Sequence, residues 1–311
     1  MVQAIGVRRP GGPDALEELD LAPEPLGPGQ VRIRVAAAAV NPIDAMIRSR
    51  PRQDAADAVR VPGMEVAGAI TEIGPEVDRA LAVGDAVMAV VVPSGEHGGY
   101  RADLVVPARS VARIPAGLSP AEAATVPMNG LTARLALDTL ALPPGATVAV
   151  TGAAGAVGGY FVQLAEQDGL VVVADAAPKD EDFVRACGAD QVLPRGDDFA
   201  AQVRRHHPGG VDGLLDAAVL EAAALPAVKD GGTVVTVSGY TGDGAGRVRV
   251  VPVFVRDHAT AAAALDRLAE LAGDGRLTPR VADRLPASRA ADAHRRLERP
   301  GVRGRVVLQF D

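Results

Sequence analysis

Hydrophobic and polar positions alternate over short stretches in the first third of the chain. Val31–Val40 starts with this pattern, and Gly63–Gly74 and Gly84–Val92 are further strand candidates because glycine and proline bound them. A period of two is typical of strands whose side chains point alternately to the two faces of a sheet. The pattern predicts that this part of the chain is rich in β-structure.

Residues 117–140 change to a helical pattern. Ser119 is a favourable N-cap, Pro120 suits the first helical position, and Glu122 completes a capping box. We therefore predict a helix over this stretch.

From residue 146 onward, apolar stretches alternate with helical segments. The predicted strands are 146–152, 169–175, 190–193, 211–217 and 232–238. Near-continuous apolar strands that alternate with helices are typical of a parallel sheet covered on both faces. The C-terminal part predicts helices at 259–275 and 287–297 and a terminal strand at 303–310.

A glycine-rich turn joins the first of these apolar strands to a helix. It reads VTGAAGAVGGYFVQLA, with Gly152, Gly155 and Gly158 three residues apart. Small residues there allow a tight turn and a close approach to a diphosphate, which the helix N-terminus attracts. A tight turn without a ligand is the alternative. Because a strand precedes the loop and a helix and a second strand follow it, we interpret it as a dinucleotide-binding site.

Composition and charge exclude several other classes of protein. The net charge of the 311-residue chain is −7, and the sequence contains no block of Lys and Arg residues. We therefore expect no nucleic-acid partner. The single cysteine, Cys187, excludes an internal disulfide and a multi-cysteine zinc site. The N-terminus lacks the apolar segment of a signal peptide, and no apolar run approaches the ~18 residues of a membrane span. We expect a cytoplasmic protein with no membrane partner.

The glycine loop resembles the AAxGGVGxxAxQLA loop of the zeta-crystallin-like quinone oxidoreductase branch of the medium-chain dehydrogenase/reductase superfamily. In that branch alanine, here Ala153, stands where alcohol dehydrogenases have the first glycine. Further motifs follow in the same order. VNPIDAMIRSR resembles VNPxDxxxRxG, VPGMEVAGAITEIGPEV resembles PGxDxxGxVxxVGxxV, and GGYRADLVVPA resembles GGYAEYxxVPA. The similarity extends over essentially the whole chain.

The resemblance implies an α/β fold of two domains. Residues 1–120 and 256–311 would form a β-rich GroES-like catalytic domain, and residues 121–255 a Rossmann domain with a doubly wound parallel sheet. The cofactor would bind at the carboxyl ends of the parallel strands. The residues expected to bind it are Gly152, Ala153, Ala154, Gly155, Ala156, Val157, Gly158, Asp175, Lys179, Ser238 and Gly239.

Zinc alcohol dehydrogenases of the superfamily place a cysteine and a His–Glu pair at two of these motifs. This chain has Asn41 and Met64–Glu65 there. Asparagine and methionine are poor donors for tetrahedral zinc, so we expect an enzyme without a metal.

Without a metal, hydrogen-bond donors or water must stabilise the charge that develops on a substrate carbonyl. Asn41 lies where the family lines its substrate site, and its amide could donate to such a carbonyl; capping the turn before Pro42 is the alternative. The resemblance places Thr132 against the cofactor, although a helix-interior Thr bonded to its own backbone fits as well. Met46, Met64 and Asn129 are candidates for the substrate pocket, with core packing as the alternative for the two methionines.

The sequence contains opposing signals for NAD and for NADP. An acidic residue at the end of the second parallel strand binds the ribose hydroxyls of NAD and repels the 2′-phosphate of NADP, and Asp175 lies close to that place. The alternative position is Ala174, which would leave room for the phosphate. Lys179, shortly after it, would attract that phosphate. We expect NADP(H) on the strength of the resemblance, with NAD(H) as the alternative.

The resemblance implies an NADPH-dependent oxidoreductase that transfers a hydride to a conjugated carbonyl compound, which is a quinone, an enone or an enoyl compound. An enoyl reductase of a biosynthetic pathway, and a nucleotide-binding protein that has lost redox turnover, are the alternatives. The β-rich segment Arg247–Val255 ends in an edge-type strand, and relatives pair such edges across a two-fold axis. We therefore expect a homodimer with a small-molecule substrate.

Overall fold

The structure is a computed structural model of the chain, and it describes residues 1–51, 58–242 and 246–310. The chain divides into two compact units, Met1–Met128 with Arg256–Asp311 and Asn129–Val255. The first boundary lies eight residues after the one expected at 120. Among the described residues, no helix has both the length and the apolar character that crossing a membrane requires.

Strands and short helices follow one another along the chain. The strands are β1 (Val2–Gly6), β2 (Glu17–Leu21), β3 (Gln30–Val40), β4 (Glu65–Ile73), β5 (Ala86–Val90), β6 (Asp103–Pro107), β7 (Val111–Arg113), β8 (Thr147–Thr151), β9 (Val171–Ala176), β10 (Gln191–Pro194), β11 (Val211–Asp216), β12 (Val228–Thr236), β13 (Arg249–Pro252), β14 (Val281–Pro286) and β15 (Arg305–Gln309). The α-helices are α1 (Pro42–Ser49), α2 (Pro120–Ala123), α3 (Pro127–Leu140), α4 (Ala156–Gln167), α5 (Glu181–Ala186), α6 (Phe199–His206), α7 (Ala262–Gly273) and α8 (Ala290–Glu298).

The first unit is built around a largely antiparallel sheet. Its order is β14-β15-β3-β4-β5-β7, with β6 also paired to β3, and β1 and β2 form a separate antiparallel pair. In β3 the side chains of Val31, Ile33 and Val35 are buried while Arg32 and Arg34 are partly or fully exposed, which is the alternation that predicted this strand. The three strands predicted in the first third of the chain are confirmed, with ends that stop short of the bounding glycines.

The single helix predicted over 117–140 is wrong in one respect: the structure has two helices, α2 and α3. Pro127 has no N–H to donate to the preceding turn, so α2 ends and α3 begins with the proline at its first position. The predicted capping box is confirmed. The Glu122 N–H donates to Ser119 Oγ at 3.3 Å, and the Ser119 N–H donates to Glu122 Oε2 at 2.9 Å.

The second unit contains the predicted parallel sheet. Its six strands lie in the order β10-β9-β8-β11-β12-β13, and every neighbouring pair is parallel. Numbered along the chain, this is the doubly wound order 3-2-1-4-5-6, which reverses between β8 and β11. One face of the sheet packs against α6 through Phe199 and Val203. At the far edge, β13 carries Pro252, a residue that edge strands tolerate.

Candidate functional site

The glycine loop leaves β8 at the point where the strand order reverses. It turns at Gly152, which has φ of +71°, and Gly155 is the N-cap of α4. The ends of the neighbouring strands bring Asp175, Ser238 and Gly239 to the same edge of the sheet. Open doubly wound sheets bind their ligands in the crevice at this edge.

Two of the loop glycines serve different purposes. A Cβ on Gly158 would lie 2.2 Å from the carbonyl oxygen of Gly152, so only glycine lets α4 pack this close to the loop. A Cβ on Gly155 would meet only the Gly152 oxygen, at 3.0 Å, and would otherwise point into open space. No side chain caps α4 at this residue. The first turn of the helix therefore suits an anion, and the loop fits the diphosphate of a dinucleotide.

The structure places Asp175 beneath the glycine loop. Its carboxylate accepts a hydrogen bond from the Ala153 N–H at 2.9 Å, and the side chain is almost fully buried. Burial raises the pKa of Asp175, against the opposing effect of the loop N–H donors and of Arg195. The acid thus holds the shape of the loop, whether or not it also reaches a ribose.

Two cations lie at the ends of the strands next to Asp175. The Arg195 guanidinium, half-exposed after β10, is 3.8 Å from the Asp175 carboxylate. Lys179 is exposed on the turn that follows β9. Arg195 was not singled out in the sequence, because its position depends on the pairing of β10 with β9.

Ser238 and Gly239 follow β12. Ser238 is exposed, and its hydroxyl lies 3.3 Å from Glu221 Oε1 on the loop after β11. Gly239 has φ of +87°, and a Cβ on it would make ordinary contact with the ring of Phe254. These residues share the carboxyl edge of the sheet with the glycine loop, and their contact with a cofactor stays a prediction.

In the first unit, Asn41 is fully buried at the start of α1. Its amide donates to Glu65 Oε1 at 2.9 Å and, more weakly, to the Ala39 carbonyl at 3.5 Å. The Asn41 N–H donates to Asp44 Oδ2 at 2.8 Å, and the Gly63 N–H donates to Asp44 Oδ1 at 2.9 Å. These bonds are the arrangement expected if Asn41 caps the helix. Its contact with a substrate stays a prediction.

Glu65 and Asp44 are two buried acids joined through Asn41. Burial raises the pKa of Glu65 to about 7, although the Asn41 amide and the Met128 N–H, at 2.8 Å, donate to its carboxylate. Burial likewise raises the pKa of Asp44 to about 6. The two acids are therefore more easily protonated in the folded protein than in water.

A buried chain of hydrogen bonds continues from Asp44 through Tyr100 and His294 to Arg48. Arg48 can only donate, and its bond to His294 Nδ1 at 3.0 Å fixes the tautomer with the proton on Nε2. Nε2 then donates to the Tyr100 oxygen at 3.2 Å, and the Tyr100 hydroxyl donates to Asp44 at 3.3 Å. Burial and the Arg48 charge lower the pKa of His294 to about 3. Tyr100 is thus a structural residue. Its bonds connect the loop between β5 and β6, in which it lies, to α1 and α8.

The candidate substrate residues lie on different elements of the chain. Met46 lines a cavity of about 320 Å³ in the first unit, together with Ile43, Ile47 and Val61. Met64 is half-buried just before β4 and lies outside the lining of this cavity. Asn129 and Thr132 are buried in α3.

Comparison with known proteins agrees with both parts of this architecture. Residues 27–116 match the family described as "Alcohol dehydrogenase GroES-like domain", and residues 187–308 match the family described as "Zinc-binding dehydrogenase". The chain is 35% identical over 198 residues to a chloroplastic quinone-oxidoreductase homolog of Spinacia oleracea, covering 59% of this chain and 57% of that protein.

Two further similarities extend the comparison. Over 225 residues, 68% of this chain, it is 39% identical to the pikromycin polyketide synthase component PikAII of Streptomyces venezuelae, of which it spans 6%. A mycobacterial protein solved in complex with NADPH superimposes with a TM-score of 0.84 at 28% identity, over 100% of both chains. The chain belongs to the quinone oxidoreductase branch of the medium-chain dehydrogenase/reductase superfamily.

In this member of the superfamily, the predicted GroES-like fold of the first unit and the Rossmann-like sheet of the second are confirmed. At the positions where zinc relatives carry ligands, Asn41 donates to Glu65, and Met64 precedes β4 with its carbonyl accepting from the Val91 N–H. Within residues 1–51, 58–242 and 246–310, no three side chains of His, Cys, Asp or Glu gather in a way that could hold a metal ion.

Two acids of the chain have a structural role that the sequence analysis missed. Glu65 was noted only as a replaced zinc motif, yet it holds the Asn41 amide. Asp216 ends β11, and its carboxylate accepts a hydrogen bond from the Thr151 hydroxyl at 2.7 Å. This bond stabilises the start of the glycine loop. An acid at the end of a predicted parallel strand was the available signal for Asp216.

Proposed function

We propose that this protein is an NAD(P)H-dependent reductase that transfers a hydride to a conjugated carbonyl compound without zinc. The observation that carries the proposal is the glycine loop at the reversal point of the doubly wound sheet, with no side chain capping α4 at Gly155. The spinach relative is named for quinone oxidoreduction, and the mycobacterial structure contains NADPH. The first supports a conjugated acceptor, and the second supports a nicotinamide cofactor.

The chain's own part in this chemistry is to bind the cofactor and to orient the reacting groups. The backbone N–H groups at the start of α4 would bind the diphosphate, with Gly155 leaving room for it and Asp175 fixing the loop through Ala153. When bound, the reduced nicotinamide supplies the hydride. Asn41 and Thr132 stay proposed contacts of the substrate and the cofactor. Exclusion of water and correct orientation account for most of the rate enhancement in such a site.

Steady-state consumption of NADPH and NADH against a panel of quinones, enones and enoyl thioesters tests the proposal. We expect turnover of at least one class. Binding of the cofactor without turnover of any class would favour a nucleotide-binding protein that has lost its redox activity.

An enoyl reductase of a biosynthetic pathway is the second candidate. The similarity to a polyketide synthase component, 39% identity over 225 residues, favours it. The same panel separates the two candidates, because a higher kcat/KM for the enoyl thioester than for the quinone would support the biosynthetic reaction.

We expect the purified protein to contain no stoichiometric zinc and to keep its activity in the presence of a chelator. The reason is the replacement of metal donors by Asn41 and Met64, whose amide and thioether are poor zinc ligands. Elemental analysis checks this. One tightly held zinc per chain would contradict it.

We expect a modest preference for NADPH over NADH. The 2′-phosphate carries a charge of roughly −2, which Lys179 and Arg195 would attract and Asp175 would repel. Lys179→Ala should weaken NADPH binding more than NADH binding. Asp175→Asn, which keeps an oxygen for the Ala153 N–H, should increase the preference for NADPH.

Dissociation constants of both cofactors for the parent and the two variants measure this preference. Lys229→Ala is the control, since Lys229 lies at the amino-terminal part of β12 and pairs with Asp212. A parent that prefers NADH, with Asp175→Asn reversing the preference, would show that Asp175 selects NAD.

We also propose a homodimer formed through the edge strand β13, for which the described part of the chain provides one sheet neighbour, β12. Light scattering at micromolar concentration should give twice the chain mass of 31.7 kDa. The monomer mass would contradict it.

A further inference from the structure

The cavity beside α1 has an apolar wall. Ile43, Met46 and Ile47 line it from α1, and their spacing of three and four residues places them on one face of the helix. Each of the three is only partly buried, so packing against the rest of the described chain leaves this face partly open. An apolar ligand could cover it.

Two arginines, Arg50 and Arg60, line the same cavity. Arg50 is the C-cap of α1, and its N–H donates to the Met46 carbonyl at 3.0 Å. Arg60 is bridged to Val7 through its backbone, and its guanidinium donates to the Arg50 carbonyl at 2.6 Å. The Arg60 guanidinium is therefore held beside Arg50, at the end of the helix.

The charge of these two arginines is not balanced within the lining of the cavity. None of the described residues that line it is Asp or Glu, and Ser94 adds a hydroxyl that can donate a hydrogen bond. Guanidinium groups stay protonated in proteins, and two of them near one another repel. An anion bound in this cavity would offset that repulsion.

The local structure of α1 does not account for Arg50. In the motif VNPxDxxxRxG, which VNPIDAMIRSR resembles, glycine stands at the position of Arg50. The arginine that matches the motif is Arg48, which is buried against His294 and Glu298 and already places a cation in the last turn of the helix. Arg50 is exposed and has no carboxylate partner among the described residues. Its charge is available to a ligand.

We propose that the conjugated acceptor carries an anionic group, and that Arg50 and Arg60 bind this group in the cavity beside α1. The inference rests on the proposed function and names the class of its substrate. At 1.5 Å per residue, Arg50 lies about 13 Å along the helix from Asn41, the proposed contact of the substrate. The carbonyl and the anionic group should therefore occupy opposite ends of an extended, largely apolar molecule. A carboxylate and a phosphate both fit, since guanidinium groups bind either one.

Three forms of 4-phenylbut-3-en-2-one test this class of substrate. The para position of the ring carries a carboxylate, the neutral carboxamide of the same shape, or a phosphate monoester, and consumption of NADPH gives kcat and KM for each. In the parent, kcat/KM for the carboxylate should exceed that for the carboxamide by at least about tenfold. A lower KM for the phosphate than for the carboxylate would identify phosphate as the recognised group, and the reverse order would identify carboxylate.

Arg50→Gln should reduce this preference for the carboxylate over the carboxamide about fivefold to tenfold, mainly through KM, because it removes a binding interaction remote from the reacting atoms. Arg60→Gln should act in the same direction, and Arg50→Lys, which keeps the charge, should retain most of the preference. Arg109→Gln is the matched control. Arg109 is an exposed arginine of the same unit that pairs with Asp78 outside this cavity, so the preference should stay as in the parent.

Isothermal titration calorimetry of the full chain with 4-(3-oxobutyl)benzoate and with its carboxamide measures the same preference without turnover. Equal kcat/KM for the two enones, or a preference that both glutamine variants leave intact, would overturn the anionic class and leave the reductase standing. A calorimetric preference for the carboxylate in a protein that reduces no acceptor would overturn the reductase and leave the anion-binding cavity standing. Equal affinity for the two ketones and no turnover would overturn both.

Discussion

Gly155→Val should reduce the affinity for NADPH and NADH by at least about 100-fold, because it blocks hydrogen bonds from α4 to the diphosphate that contribute on the order of 1.5–3 kcal/mol each. The backbone accepts the change, since Gly155 has φ of −77° and ψ of 178°, an extended conformation that suits valine. The new side chain would fill the otherwise open space at the start of α4. Fluorescence titration measures the affinity, and circular dichroism checks the fold.

Gly159→Ala is the control for this variant. Gly159 lies one turn further along α4, and a Cβ there meets the Ala153 oxygen at 3.5 Å and the Phe183 ring at 3.7 Å, which are ordinary contacts. It should keep most of the affinity. Unchanged affinity in Gly155→Val would mean that the loop is a structural turn and that the cofactor, if any, binds elsewhere.

Glu65→Gln should remove a pH dependence from the stability of the protein. The pKa of Glu65 in the fold is about 7, above its ordinary 4.5. An acid whose pKa is raised by folding contributes stability that is fully present below the unfolded pKa and is lost as the pH rises through the folded pKa. The free energy of unfolding should therefore fall in the parent between pH 4.5 and 7, by about 3 kcal/mol at most.

Chemical denaturation at pH 5 and pH 8 measures this difference. Glutamine accepts only one of the two N–H donors of Glu65, so the variant should be less stable than the parent. The difference should be larger at pH 5 than at pH 8, because only the parent gains stability from protonation of Glu65. Asp44, with its pKa near 6, gives a pH dependence that both proteins share. Glu72→Gln, on the same strand but exposed, controls for the substitution. Parallel stability curves for parent and Glu65→Gln would contradict the raised pKa.

Local patterns in the sequence were enough to predict the parallel sheet and the place of the glycine loop in it. The apolar strands, the glycine spacing and the helix after it are all encoded within short stretches, and the parallel pairing follows from the alternation of strands with helices. The break at Pro127 was missed because the apolar pattern continues across it. A proline in the middle of a helical pattern was the signal for that break.

The polar network around Asn41 could not be predicted in the same way. Asn41 and Glu65 are 24 residues apart, and Tyr100 and His294 are 194 apart, so these bonds exist only once the strands are paired. Asp175 was predicted as a ribose ligand from its place at a strand end. Its bond to the Ala153 N–H depends on the turn of the glycine loop above it.

Transfer of deuterium from NADPH labelled at nicotinamide C4 tests most directly whether the protein transfers a hydride to a conjugated carbonyl compound. Each stereoisomer of the labelled cofactor is incubated with a simple enone and the protein, and the product is examined by mass spectrometry and NMR. We expect one of the two isomers to deliver its deuterium to the carbon β to the carbonyl. Bound NADPH that transfers no label to an enone or an enoyl thioester, and that a quinone does not oxidise, would contradict it.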